Sequence, residues 1–438
     1  MLLKVRKMDK IQDDDRLYSI GKIFVDHHTR RSFRRFHVVG KENIPQKGAC
    51  IFGSNHCNTL MDALVLLATS RGKKVFIARG DIFKNPATAK ILKWLRILPI
   101  FRMRDGIGSV RDKNGDTIAQ AVDVIRDEVP LYLFPEAAHR TKHSLRQLSK
   151  GIFHIALDAN SRFGHEKPVY IVPTGLEYGD YFRFRSTVLV SYGKPINVTE
   201  YVKEHEGESE AMIINGLKTI LTERMAELIS FVPDDEDYDA IWEIAKIRAG
   251  RLPITLKMRL RRNKRFISNI LKFREKQPEK AKELFQKVRE FTKRRKEHAI
   301  SVSSVAMRIP FWRTFWKTLL VLLGLPFFIA AAAVSSPIWI TASFILDNLK
   351  DKAFRNTVNV CVELVLHPLI MATGVTLMFC LIPWEIAALG SIFLYYSYVY
   401  YFDYIEYVRI WTSDLRWTFN KNLKKEFKEL GLFKQHIR

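Results

Sequence analysis

The sequence predicts an α/β domain, a mixed and largely parallel sheet covered by helices, followed by a basic helical segment and C-terminal membrane helices. Three observations carry that expectation. Within the first 235 residues, short β-branched or aromatic runs alternate with amphipathic stretches, as in strands joined by crossover helices. Lys246 to Glu297 then holds 20 Lys and Arg against 5 acidic residues. After residue 310 the charge thins out: Thr318 to Leu346 is 29 residues without an ionisable side chain, and Leu364 to Trp384 is 21 with only His367.

In chain order, residues 1–36 form a basic N-terminal segment. Its apolar side chains Leu17, Ile20, Ile23, Phe24, Phe33 and Phe36 suit an amphipathic helix that rests on a bilayer or packs on the following domain. Residues 37–235 are the α/β domain. Strands are expected at Ala49–Gly53, Val75–Ala78, Leu98–Arg102, Leu131–Phe134, Tyr170–Thr174 and Val188–Tyr192. Helices are expected at Thr59–Ser70, Pro86–Leu95, Ile118–Arg126 and Ser149–Asn160, with Asp116 and Thr117 as caps of the third.

Residues 236–310 are a basic helical linker whose apolar residues, such as Phe266, Ile270 and Leu271, recur at helical spacing and whose cations suit anionic headgroups. Residues 311–410 are expected to form membrane hairpins. The first long run makes a helix of about 43 Å against a hydrocarbon core of ~30 Å. It must tilt, project or fold back, and Pro326, Ser335, Ser336 and Pro337 offer a place to break. A second hairpin turns near Pro383, with Tyr395, Tyr396, Tyr398, Tyr400, Tyr401 and Tyr404 as an interfacial belt. It returns the basic tail, 411–438, to the cytosolic side.

Composition narrows the function classes. The chain is 47% hydrophobic and 27% charged, neither disordered nor all membrane. A net charge of +25 asks for a polyanionic partner. No RNP, KH or zinc-finger pattern points to nucleic acid, so anionic membrane lipids are the expected partner. Four scattered cysteines without a CxxC pair exclude a disulfide scaffold and a thiolate zinc site. The opening MLLKVRKMDKIQDDD has no apolar core, so no cleaved signal peptide is expected.

The densest polar cluster, Ser54 to Asp62, follows a predicted strand and opens a helix. His56 is the natural general base, and Asp62 is placed to fix its tautomer. On one helix, positions 56 and 62 point about 240° apart. The pair therefore meets only if His56 sits in the preceding turn, with Asn58 or Thr59 as the N-cap. Three further strand ends carry polar groups: Arg102 and Arg104 after Phe101, Glu136 to Arg140 after Phe134, and Thr174 to Glu177 after Pro173. In a parallel sheet such ends share one edge, where ligands bind. Cys57 is a poor nucleophile candidate, because adjacent side chains rarely face each other. His27, His28, His143 and His154 lack metal-ligand spacing and read as surface or packing residues.

In this order the blocks Asn55-His56…Asp62, Phe101–Arg104, Phe134–Arg140 and Val172–Gly175 resemble those of the glycerophospholipid acyltransferase family, over residues 37 to 200. The resemblance implies a glycerolipid acyltransferase fold. It implies that His56 deprotonates a glycerol hydroxyl for attack on an acyl thioester, with Asp62 holding His56. Arg104, Glu136 and Arg140 would position the glycerol-phosphate, and Pro173 would shape the acyl-donor side. Acyl-CoA or acyl carrier protein is the implied donor, with no metal or organic cofactor and no acyl-enzyme. The five-residue gap between His56 and Asp62, one longer than is common, looks like a subgroup of glycerol-3-phosphate acyltransferases with C-terminal membrane regions. Acylation of 1-acylglycerol-3-phosphate is the alternative. Ala137-Ala138-His139 replaces the family's Gly-Thr-Arg. An integral protein of a bacterial inner membrane or the endoplasmic reticulum, with its catalytic domain in the cytosol, is implied. A non-catalytic protein that binds anionic lipid is the alternative from another class.

Overall fold

The computed structural model describes residues 10–101, 110–164, 166–250, 255–306, 311–349 and 351–432. Contacts divide the chain into two compact units, Met1–Tyr181 with Ser186–Ile229, and Phe182–Arg185 with Ser230–Arg438.

In the first unit, α1 (Arg16–Arg31) precedes β1 (Arg35–Val39), β2 (Ala49–Ser54), α2 (Leu60–Leu67), β3 (Val75–Arg79), α3 (Pro86–Trp94), β4 (Ile97–Ile100) and α4 (Val110–Arg126). Then come β5 (Leu131–Leu133), α5 (Gly151–Phe163), β6 (Val169–Tyr178), β7 (Thr187–Tyr192), β8 (Ile196–Asn197), α6 (Val198–Glu204) and α7 (Glu210–Ala226). The sheet order is β1-β7-β6-β2-β5-β3-β4, with β8 on β6. The five strands β6, β2, β5, β3 and β4 are parallel, while β7 and β8 run antiparallel to β6. The mixed, largely parallel sheet is thus as expected.

Both faces are covered, which is why β2 is buried throughout and apolar up to Ser54. Ala49 and Ile51 join the core formed with α4, α5 and α7 through Ile125, Ile152, Phe153 and Leu217. Phe52 stacks on Tyr132 in an aromatic layer on the alternate side, and Tyr192 Oη donates to Thr69 at 2.9 Å. Helix α1 docks on the domain: Lys22 Nζ donates to the carbonyls of Leu67 and Ser70 at 3.2 and 2.9 Å, past the end of α2. Its other face leaves Leu17, Ile20 and Ile23 exposed.

Three local expectations change. Strand β4 stops at Ile100, because the Asn114 side chain takes both backbone groups of Phe101, at 2.9 Å each. Helix α4 spans Val110–Arg126, so Asp116 and Thr117 lie inside it and not at its start. Strand β6 also runs four residues beyond the expected Thr174. Gly175 is no break: a Cβ there would sit 2.5 Å from Leu228 Cβ, so glycine answers close packing. Pro173 lies where β6 changes partner between β8 and β7, and there the ladder needs no N–H.

The second unit holds α8 (Tyr238–Ala249), α9 (Leu256–Lys276), α10 (Pro278–Glu297), α11 (Val302–Ala306), α12 (Phe311–Asp347), α13 (Arg355–Leu381), α14 (Trp384–Phe419) and α15 (Lys421–Glu429). The basic segment is not an open helix laying apolar residues on lipid. Ile267 and Ile270 of α9 and Phe285, Val288 and Phe291 of α10 are buried in a core with α8, Trp417, Leu423 and Leu432. The charged faces are left outward, cationic along α9 and mixed along α10, where Glu283 pairs with Lys287. Glu243 is buried there and accepts Arg295 Nε and Nη2 at 2.9 and 2.7 Å and Lys246 Nζ at 2.8 Å. Burial raises its carboxyl pKa, but Lys246 and Arg295 outweigh burial and hold it below the ordinary range. The stabilisation is therefore present above the unfolded glutamate pKa and lost as pH falls through the lower, folded one. Glu243→Gln, which strands Arg295, is expected to cost about 3 kcal/mol in denaturant unfolding at neutral pH.

Two helices, Thr314–Asp347 and Lys352–Leu381, are long and apolar enough to cross a membrane, and only 17% and 6% of their apolar windows are buried. A core helix pair of a soluble protein would be mostly buried, so this exposure argues for membrane. The expected break at Pro326–Pro337 does not occur, since α12 is one 37-residue helix. Pro337 frees the carbonyl of Ala333, and Ser336 Oγ donates to it at 2.7 Å. Near Pro326, Tyr400 and Tyr404 of α14 donate to the carbonyls of Gly324 and Val321 at 3.0 and 2.7 Å. Those tyrosines thus serve helix packing, and Tyr398 and Tyr404 are buried rather than placed in an outer belt. The turn near Pro383 is present, with Pro383 capping α14. Beyond residue 410, α14 continues to Phe419, and α15 packs its Leu423 into the core of this unit.

Candidate active site

Strand β2 ends at Ser54, and the chain must then turn sharply to open α2. Asn55 fixes the exit: its Nδ2 donates to the carbonyl of Leu176 at 3.0 Å and its Oδ1 accepts the N–H of Leu176 at 2.7 Å. The side chain thus continues the β2–β6 ladder for one more rung. Thr59, at the N-cap of α2, has φ +47 and makes no side-chain cap bond. Such a conformation is costly for a β-branched residue and marks a turn held by its surroundings.

What holds it is Asp62, fully buried in the first turn of α2. Its Oδ2 accepts the backbone N–H groups of Cys57 and Asn58 at 2.8 and 2.7 Å and lies 2.8 Å from His56 Nδ1. Its Oδ1 accepts the Tyr178 hydroxyl at 2.8 Å. Two N–H groups and a hydroxyl donating to one carboxylate suit its ionised form, so the Nδ1 beside it carries the proton and Nε2 keeps a lone pair. Nε2 has no partner among the described residues. The imidazole stacks on Phe134, with centroids 4.3 Å apart. A ring packed by Phe134 and tied at Nδ1 presents Nε2 in one direction, which is what a general base needs. The expected pair is therefore brought together, with His56 in the turn and Asp62 on the helix.

Glu136 is placed otherwise than expected. It is buried, its Oε1 accepts the His56 N–H at 3.1 Å and its Oε2 accepts the Arg146 N–H at 2.9 Å. Both oxygens brace the backbone that carries the base. Burial, only partly offset by those two bonds, raises its carboxyl pKa to about 7. Arg140 meets His56 through the backbone, its N–H donating to the His56 carbonyl at 2.9 Å. The His139 ring lies edge-on to that of His56, centroids 5.9 Å apart. Pro173 is buried within β6. Arg102 and Arg104 lie outside the described residues.

Ala137, where the family has glycine, has φ +57. The left-handed conformation costs an alanine about 1 kcal/mol. Ala137→Gly is therefore expected to leave stability unchanged or raise it by up to ~1 kcal/mol in denaturant unfolding, against the usual loss.

Cys57 is buried, and its thiol is pushed well above its ordinary pKa by burial first and then by Asp62, Glu136 and Glu177. A thiol held protonated is no nucleophile. His143, expected as a surface or packing residue, is buried 3.4 Å from Glu177 Oε2.

The residue that sequence reading missed is Tyr178. It became visible only once β6 ran past Gly175 to bring it to Asp62. Tyr178→Phe is expected to cost about 1 kcal/mol of stability. Denaturant unfolding of both proteins checks this, and an unchanged midpoint would show that the bond to Asp62 adds nothing to stability.

An imidazole held by a buried carboxylate thus lies at the carboxyl edge of the parallel strands, where ligands bind in such sheets. Residues 35–177 match the family model described as Acyltransferase. The match runs from β1 into β6 of the first unit and covers about a third of the chain. Glycerol-3-phosphate O-acyltransferase 2 of Saccharomyces cerevisiae (strain ATCC 204508 / S288c) is 27% identical over 147 residues, which are 34% of this chain and 19% of that protein. The chain thus spans about a fifth of that relative's length. The crystal structure of the 1-acyl-sn-glycerophosphate (LPA) acyltransferase PlsC of Thermotoga maritima is similar over 49% of this chain and 83% of that one. Identity there is 18% and the TM-score 0.34, too low to support any inference.

Proposed function

We propose that the chain is a membrane-bound O-acyltransferase that moves a fatty acyl group from acyl-CoA or acyl carrier protein to the hydroxyl of glycerol-3-phosphate, a step of phospholipid synthesis. The observation that carries the proposal is the His56 Nδ1–Asp62 Oδ2 contact of 2.8 Å, with Asp62 buried and Nε2 open. Nε2 takes the proton of the glycerol hydroxyl as its oxygen attacks the thioester carbonyl. The resulting imidazolium is stabilised by Asp62 and returns its proton to the leaving thiolate. The hydroxyl attacks directly, so no acyl-enzyme forms. No further cofactor is called for beyond the acyl carrier. Cations of Arg104 and Arg140 are assigned to the acceptor phosphate, and Pro173 to the acyl-donor side.

The catalytic domain is assigned to the cytosolic face of a bacterial inner membrane or the endoplasmic reticulum, where water-soluble donor and acceptor meet a product that enters the bilayer. The test offers detergent-purified protein labelled acyl-CoA or acyl carrier protein, with glycerol-3-phosphate and 1-acylglycerol-3-phosphate side by side. Preference for glycerol-3-phosphate is expected. Preference for the lysolipid would assign the second acylation. Transfer to neither, in folded and lipid-supplemented protein, would remove the glycerolipid assignment and favour a non-catalytic lipid-binding role.

A further inference from the structure

The second unit carries a charge arrangement that acyl transfer does not use. The first half of α9 holds Lys257, Arg259, Arg261, Arg262, Lys264 and Arg265, and the helix has no acidic residue before Glu275. At ~100° per residue, Lys257, Arg261, Arg265, Ser268 and Lys272 fall on one face. Leu256, Leu260, Asn263, Ile267 and Ile270 are buried on the opposite one. All five residues of the outward face are exposed. From Lys257 to Lys272 the stripe is about 22 Å long.

The arrangement is electrostatically unfavourable by itself. The N-terminal end of a helix already carries about half a positive charge, and here no first-turn carboxylate offsets it. Lys257, Arg261, Arg265 and Lys272 form no ion pair with any described residue. By contrast Arg274, at the far end, pairs with Asp235 and Asp237. A fold that neutralises one end of α9 with its own carboxylates leaves the other for an external polyanion.

We propose that this face of α9 lies on anionic phospholipid headgroups. A bilayer is favoured over a soluble polyanion by the rest of the same unit. It carries the two helices apolar enough to cross a membrane, with Leu322, Phe327, Phe344, Leu377 and Leu381 exposed along them. Trp312 and Trp316 are exposed at the start of the first, as aromatic residues are at a membrane–water interface. Covalent attachment to membrane-crossing helices keeps α9 at a high effective concentration near headgroups. Each Lys or Arg near an anionic leaflet is attracted to it within about a Debye length. The apolar side of α9 is used up in the core, so the contact is electrostatic and shallow. It depends on the lipid's charge, and no part of it rests on the acyltransferase reading.

The test uses the full chain in vesicles, with Cys361 and Cys380, both exposed, changed to Ser. A fluorophore is placed through Ser268→Cys, on the cationic face. Quenching by headgroup-nitroxide lipid is read in phosphatidylcholine vesicles with and without phosphatidylglycerol. Quenching at least threefold stronger with phosphatidylglycerol is expected. It should vanish at high salt and in Arg261→Gln/Arg265→Gln, whose fold is checked by circular dichroism. Equal quenching in both vesicles, or none in either, would overturn the proposal. So would a probe that responds to added RNA or polyphosphate and not to phosphatidylglycerol. Activity is not read, so failure of the acyltransferase assignment would leave this result standing.

Discussion

His56→Ala is expected to lower kcat for acyl transfer about 10³-fold, with little change in the KM of either substrate. The side chain is only partly buried and its ring leans on Phe134, so its loss leaves a shallow gap and not an unpaired buried charge. The N–H and C=O of residue 56 still bond Glu136 and Arg140 through the backbone. Binding and fold should therefore survive while proton removal from the hydroxyl does not. A fall in kcat alone is the signature of a group that acts in the transition state. The measurement is steady-state transfer kinetics on purified variant, with circular dichroism and thermal unfolding as controls.

Asp62→Asn is expected to do two kinds of damage. The carboxylate receives two backbone N–H groups, a tyrosine hydroxyl and the imidazole. An amide accepts through one oxygen only, and its NH2 must face one or more of those donors. Loss of about 2–3 kcal/mol of stability is expected from bonds left unmade around a fully buried group. Catalysis falls as well: an amide lets His56 take the wrong tautomer and cannot stabilise the imidazolium. A further loss of about 10²–10³-fold in kcat is expected in protein that remains folded. Chemical unfolding and kinetics at a temperature well below the transition separate the two effects.

The His56–Asp62 pair and the parallel core of the sheet were legible because each has a local signature. A buried parallel strand such as β2 is a continuous apolar run, and His56 and Asp62 belong to one short polar segment after it. Edge strand β1 was not found. None of its five residues is buried, so burial left no mark on Arg35–Val39, and only its pairing with β7 shows it as a strand. The end of β6 was misread because Pro173 and Gly175 look like a break. Their reasons, a change of partner strand and the nearness of Leu228, are long-range.

The same limit applies around the site. The four blocks named Glu136, but the side chain spends both oxygens on backbone N–H groups, which no spacing reveals. Tyr178 carries no motif signal and is recognised only by its 2.8 Å bond to Asp62. In α12 the uncharged run was plain, whereas the Ser336 hydroxyl that takes the Ala333 carbonyl freed by Pro337 is a contact that composition does not reveal. The basic segment read as an amphipathic helix, and it forms two, α9 and α10. Its apolar stripe is taken by neighbouring helices, which the segment alone does not disclose.

The central claim is that His56, oriented by Asp62, removes the proton from the attacking hydroxyl. It is tested most directly by following kcat/KM for transfer from a labelled acyl thioester across the pH range, in wild type and in His56→Ala. The account predicts a wild-type acid limb that falls with the protonation of one group, and residual activity in His56→Ala without that limb. Undiminished transfer in the variant, or the same acid limb in both proteins, would contradict it.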